Sequence, residues 1–123
     1  MVVVPEFLIK RIYKKGSLRK EDGRIVFVLK NILGPGFLSG FGFVKINETV
    51  YNPSEVRFIT QGQEFLGTDI SEANPISFRL GQEGTIILNR DEGLVEGNNK
   101  IVIEVSNPEA GIVKLNVDDN YTA

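Results

Sequence analysis

The stretch Lys100-Ile101-Val102-Ile103-Glu104-Val105-Ser106-Asn107-Pro108-Glu109-Ala110-Gly111-Ile112-Val113-Lys114-Leu115-Asn116-Val117 decides the fold. Ile101, Ile103 and Val105 alternate with Val102 and Glu104, and Val113, Leu115 and Val117 alternate with Lys114 and Asn116. A period of two puts the apolar members on one face of a strand, whereas a helical stripe needs a period of 3.6. Asn107-Pro108 between the runs is a turn signal, because Asn bonds to nearby backbone and Pro fixes φ. The stretch therefore reads as two half-buried strands with a turn between them.

The same period recurs toward the N-terminus. Ile76, Phe78 and Leu80 alternate with Ser77 and Arg79, while Phe41, Phe43 and Lys45 fall on one face of another strand with Val44 and Ile46 on the other. Residues 24–32 contain the unbroken run Ile25-Val26-Phe27-Val28-Leu29, which fits a central strand covered on both faces or one that faces a partner. Turn signals separate the runs, among them Glu21-Asp22-Gly23, Asn47-Glu48, Asn52-Pro53, Gln61-Gly62, Asn74-Pro75 and Gly97-Asn98-Asn99. No ten-residue segment keeps a helical stripe; residues 64–73 come nearest, and Gly67 weakens them. About eight or nine short strands are expected, and one open sheet could not hide its second apolar face. The expectation is an all-β, immunoglobulin-like antiparallel β-sandwich, a single domain over residues 1–123 without repeat or linker.

Composition narrows the chemistry. The chain has no histidine, cysteine or tryptophan, which removes the common zinc frameworks, thiol nucleophiles, disulfides and any histidine-based triad. Ser17, Ser39 and Ser106 accordingly lack a histidine base. Acidic pairs at Asp91-Glu92 and Asp118-Asp119 fall at expected turns or a strand end, where solvated charge is their ordinary role. They also lack the spaced pattern of a calcium loop. Tyr13, Tyr51 and Tyr121 alone make a thin sugar-stacking platform. No cofactor is expected, and the chain is not expected to be catalytic by itself.

Charge is uneven along the chain. Residues 1–30 hold eight basic groups against three acids, although the whole carries a net charge of −2. Only Tyr13 is interleaved with them, so a nucleic-acid partner is not expected, and the run reads as a solvated first strand and turn. Met1-Val2-Val3-Val4-Pro5 is too short for a signal-peptide apolar region, and no stretch approaches the ~20 apolar residues of a membrane helix. A cytoplasmic location without membrane association is the resulting expectation.

The stretch Gly34-Pro35-Gly36-Phe37-Leu38-Ser39-Gly40-Phe41-Gly42-Phe43 invites a phosphate-loop reading, but no Lys-Ser or Lys-Thr follows the glycines and no helix pattern begins there. What stands out instead is a pair of large apolar groups, Phe37 and Leu38, beside flexible glycines. They mark either an interaction surface or a loop tucked into the core.

Several segments taken in order carry a family resemblance: Gly16-Ser17-Leu18, Gly23 leading into Ile25-Val26-Phe27-Val28, Gly36-Phe37-Leu38-Ser39, Val44-Lys45-Ile46-Asn47, Ser54-Glu55-Val56-Arg57-Phe58, and Gly93-Leu94-Val95-Glu96-Gly97 running on to Ile103. The chain thereby resembles small β-sandwich proteins typified by the β subunit of C-glycoside deglycosidases. The resemblance implies an accessory subunit of a sugar-active complex, associated with a larger sugar isomerase-like barrel subunit that carries the metal and the general base. It transfers no catalytic residue. The partner-interface candidates are Phe37, Leu38, Ser39 and Phe41. The alternative is a stand-alone protein- or glycan-binding scaffold domain, with a homo-oligomer also open.

Overall fold

The computed structural model describes residues 5–32 and 36–123. Residues 1–4 and 33–35, and with them the start Met1 to Val4 and the Gly34-Pro35 part of the glycine-rich stretch, lie outside the described residues. In chain order the first elements are a short helix α1 (Glu6–Lys10) and strands β1 (Arg19–Glu21), β2 (Arg24–Lys30), β3 (Phe37–Leu38), β4 (Gly40–Ile46) and β5 (Thr49–Tyr51). There follow β6 (Val56–Thr60), β7 (Gln63–Leu66), β8 (Ile76–Ser77), β9 (Glu83–Leu88), β10 (Gly97–Asn107) and β11 (Gly111–Tyr121).

All pairings are antiparallel, and two main sheets result: β1-β2-β9-β6-β7 and β11-β10-β4-β5. The short pair β3-β8 stands apart from both. This is the expected all-β antiparallel sandwich, with eleven strands among the described residues where eight or nine were expected.

The β10–β11 hairpin behaves as its alternation predicts. Ile101 lies opposite Val117, Ile103 opposite Leu115 and Val105 opposite Val113, all turned toward the core. Asn107 builds the turn: its Oδ1 accepts from the backbone N–H groups of Glu109 and Ala110, both at 2.9 Å. Between the sheets, Ile25, Phe27, Phe58 and Ile86 of the five-stranded sheet meet Val44, Ile46, Ile101, Ile103 and Leu115 of the four-stranded one. The Phe58 ring joins them, lying 5.5 Å from Phe41 and 5.3 Å from Phe78 between centroids. Full burial of a Phe such as Phe27 or Phe58 is worth about 2 kcal/mol in transfer terms.

Two strand expectations change. Phe41 does not share the outward face of Phe43 and Lys45, because the register between β4 and β10 shifts between Glu104 and Val105. Phe43 opposes Glu104 while Phe41 opposes Val105, so Gly42 is the extra residue of a β-bulge. The bulge turns Phe41 to the core side with Val44 and Ile46. The run from Ile76 to Leu80 also fails as a full strand. It pairs only at Ile76–Ser77, after which Phe78 folds inward with its N–H bonded to the Gly36 carbonyl at 3.0 Å. Leu80, 60% exposed, then sits in the turn closed by Gln82 N–H to Arg79 C=O.

The helix α1 was not expected at all. It spans barely more than one turn, with Pro5 at its N-cap position, Glu6 in its first turn and Lys10 in its last, an arrangement that suits the helix dipole. Residues 5–18 are thus not a solvated strand: they run from this helix through a bridge between Tyr13 and Leu29 into β1.

Candidate functional site

One end of the sandwich carries residues 36–40 of the glycine-rich stretch. The strand β3 is held there by backbone pairing of Phe37 with Ser77 and Leu38 with Ile76. Ser39 N–H donates to the Ser106 carbonyl at 2.8 Å, and Asn107 Nδ2 donates to the Phe37 carbonyl at 3.0 Å. A segment anchored on both flanks presents its side chains in fixed directions, and the structure splits the sequence candidates accordingly. Phe37 is 51% exposed, whereas Leu38, Ser39 and Phe41 are buried. Leu38 and Phe41 belong to the core, so as interface residues they are withdrawn, and Ser39 is enclosed with them.

Phe37 stands at the rim of an apolar pocket of about 70 Å³ walled by Ile12, Leu29, Leu38, Phe78 and Val113. On its other side it shares a shallow depression with Arg79 and the exposed Leu80. Sequence reasoning found Phe37 but missed Leu80, whose spacing from Ile76 and Phe78 disguised it as a core position.

Of the acidic pairs, Asp91, Glu92 and Asp118 carry the surface charge expected of them, and Asp119 does not. Asp118 is exposed and paired with Lys15 at 3.1 Å, which holds its carboxyl below the usual range. Asp119 is not solvated but buried. Its Oδ2 accepts from the Tyr13 hydroxyl at 2.8 Å and from the N–H groups of Gly16 at 2.9 Å and Leu18 at 3.3 Å. Burial and then the Asp119 carboxylate push the Tyr13 hydroxyl far above its ordinary pKa. Asp91 pairs with Lys20 at 3.1 Å, and Glu92 lies 3.4 Å from Arg90.

Elsewhere, polar clusters close loops. Asn99, fully buried, bonds the backbone of Val95 and Gly97 and accepts from Asn47 Nδ2 at 3.0 Å. Arg90 lies 4.4 Å over the Tyr51 ring and donates to Glu55 at 2.9 Å. Burial pushes the Tyr51 hydroxyl up to about 12 despite the opposing pull of Arg90. Tyr13 and Tyr51 therefore spend their hydroxyls internally, and Tyr121 is half-buried, so the three do not form an exposed platform. Among the described residues no group of three or more Asp or Glu side chains is placed to hold a metal ion, and every buried side-chain polar atom has a partner.

Fold and site together define an all-β sandwich whose most distinctive surface is an apolar end with an exposed aromatic. A family model described as hydroxymethylglutaryl-CoA reductase, N-terminal domain, matches residues 8–122, and the chain belongs to that family. No curated protein matches it. The family match overturns the resemblance to the β subunit of C-glycoside deglycosidases. The segments that carried the resemblance report sandwich geometry: Gly16, Gly23 and Gly93 sit at positive φ in turns, Gly97 takes positive φ at the first position of β10, and Gly23 and Gly97 lead directly into the alternating strands β2 and β10. Any β-sandwich with turns at those places would show them. The barrel partner inferred through that resemblance loses its support with it.

Proposed function

We propose that this chain is a non-catalytic accessory unit that acts through a surface, serving the catalytic portion of a hydroxymethylglutaryl-CoA reductase, in the cytoplasm. The observation that carries the reading is the exposed Phe37 over its apolar pocket, flanked by Leu80. An aromatic held rigidly at the mouth of a small apolar pocket is the kind of anchor that dominates interface energetics. The family description supplies the setting, that of a domain accompanying a reductase. A composition without histidine or cysteine supports a surface role over a catalytic one.

The test is recovery of the tagged chain from its native cell, followed by assay of the bound fraction for hydroxymethylglutaryl-CoA reductase activity. Activity should co-purify, and Phe37→Ser should lower the co-purified yield by at least about tenfold, as expected for a central aromatic anchor worth about 2 kcal/mol. A chain that brings down no reductase activity, or whose Phe37→Ser variant retains it fully, sinks the reading.

A further inference from the structure

The basic bias of the first thirty residues is not explained by the apolar end, and the fold gives it a definite place. Residues 5–18 lie along the edge strand β11, where α1 touches it. They are fastened by the buried Asp119, which gathers the Tyr13 hydroxyl and the Gly16 and Leu18 N–H groups. The fastening sets Lys10 and Lys15 along one wall of a cleft of about 400 Å³, whose other walls include Lys100, Val102, Asn116 and Asp118.

Charge in this cleft is unbalanced. Its lining brings together Lys10, Lys15 and Lys100 against the single carboxylate of Asp118. That carboxylate is engaged by Lys15, whose Nζ also donates to the Asp118 carbonyl at 2.8 Å, while the Lys10 charge acts on it as well and Lys100 lies opposite it in the β10–β11 register, so one carboxylate faces three ammonium groups. Lys10 and Lys100 form no ion pair among the described residues. The Asn116 amide adds a neutral donor to the same lining. An excess of ammonium groups along a concave surface concentrates anions there, and lysine serves phosphate as a mobile point charge.

We propose that this cleft is a binding site for a small phosphate-bearing anion, held by Lys10 and Lys100 with Asn116 and with Lys15 kept in place by Asp118. Its volume is in the range of small-ligand sites. The site lies on the β10–β11 side of the molecule, and its lining shares no residue with the apolar pocket beside Phe37.

Titration of the isotope-labelled chain with inorganic pyrophosphate, followed by amide and lysine NMR shifts at constant ionic strength, tests the assignment. Saturable shifts should be confined to Lys10, Lys15, Lys100, Val102 and Asn116. The double variant Lys10→Ala/Lys100→Ala should bind more weakly by about tenfold per lysine removed, in line with the cost of losing a charge-assisted hydrogen bond. Lys114→Ala, on the same sheet but outside the cleft, should bind as the parent does. Shifts spread evenly over all lysines, equal shifts with chloride alone, or binding indifferent to the double variant would each overturn the proposal. Phe37→Ser should leave pyrophosphate binding unchanged, so failure of this site and failure of the accessory reading are separately visible.

Discussion

Phe37 and Phe41 are four residues apart in sequence and have opposite fates, which makes them the sharpest residue-level test. Phe41 meets the Phe58 ring inside the sandwich, so Phe41→Ala should cost about 3–5 kcal/mol, read as a lowered urea midpoint. Phe37→Ser should leave that midpoint nearly unchanged, since the ring is half in solvent. A similar contrast holds at Gly84, where an added methyl group would overlap the buried Phe58 ring. Gly84→Ala should destabilise by about 1–3 kcal/mol through overpacking, although the position lies in a strand that ordinarily tolerates alanine. Of these facts the sequence showed only that Phe37 and Phe41 were candidates. Their separation depends on the bulge at Gly42, a register shift set by the partner strand, and no local spacing reveals it.

At the scale of elements, long alternating runs were legible and short ones were not. The hairpin β10–β11 could be read directly because each strand has eleven residues and its apolar face repeats throughout. The helix α1, the two-residue strands β3 and β8, and the tethering of residues 5–18 are too short for a period to show. Asp119 looked like an ordinary acid at a strand end because its donors come from residues about a hundred positions away. Tyr13→Phe removes one of those donors and should cost about 1–2 kcal/mol while leaving both sheets formed. The same tether makes stability pH-dependent in alkali. Tyr13 and Tyr51 both ionise above their ordinary value of 10 in the folded chain, so the unfolded chain loses these protons first. Their stabilisation is complete below pH 10 and declines as pH climbs from there toward 12 and beyond. Urea midpoints at about pH 9 and about pH 11 should differ less for Tyr13→Phe than for the parent.

For the molecule as a whole, the strand order sets what can fold without what. The five-stranded sheet uses nothing later than β9, whereas the β4–β5 pair gains the rest of its sheet only through β10. A chain cut after residue 96 should therefore bind a hydrophobic dye and aggregate, because Phe27, Phe58 and Ile86 would lack their opposite layer. A soluble, cooperatively unfolding fragment of that length would contradict the dependence. The two-sheet class was legible because it follows from burying many half-apolar strands. The order of strands within each sheet was not, since it rests on pairings between residues far apart in sequence. The order also has a consequence for synthesis on the ribosome. Once β9 has emerged, one whole sheet exists without most of its cover, and the covering hairpin is still being made. At about 5–20 residues per second that interval lasts on the order of seconds, during which the nascent chain depends on its surroundings to keep its inner face from neighbouring chains.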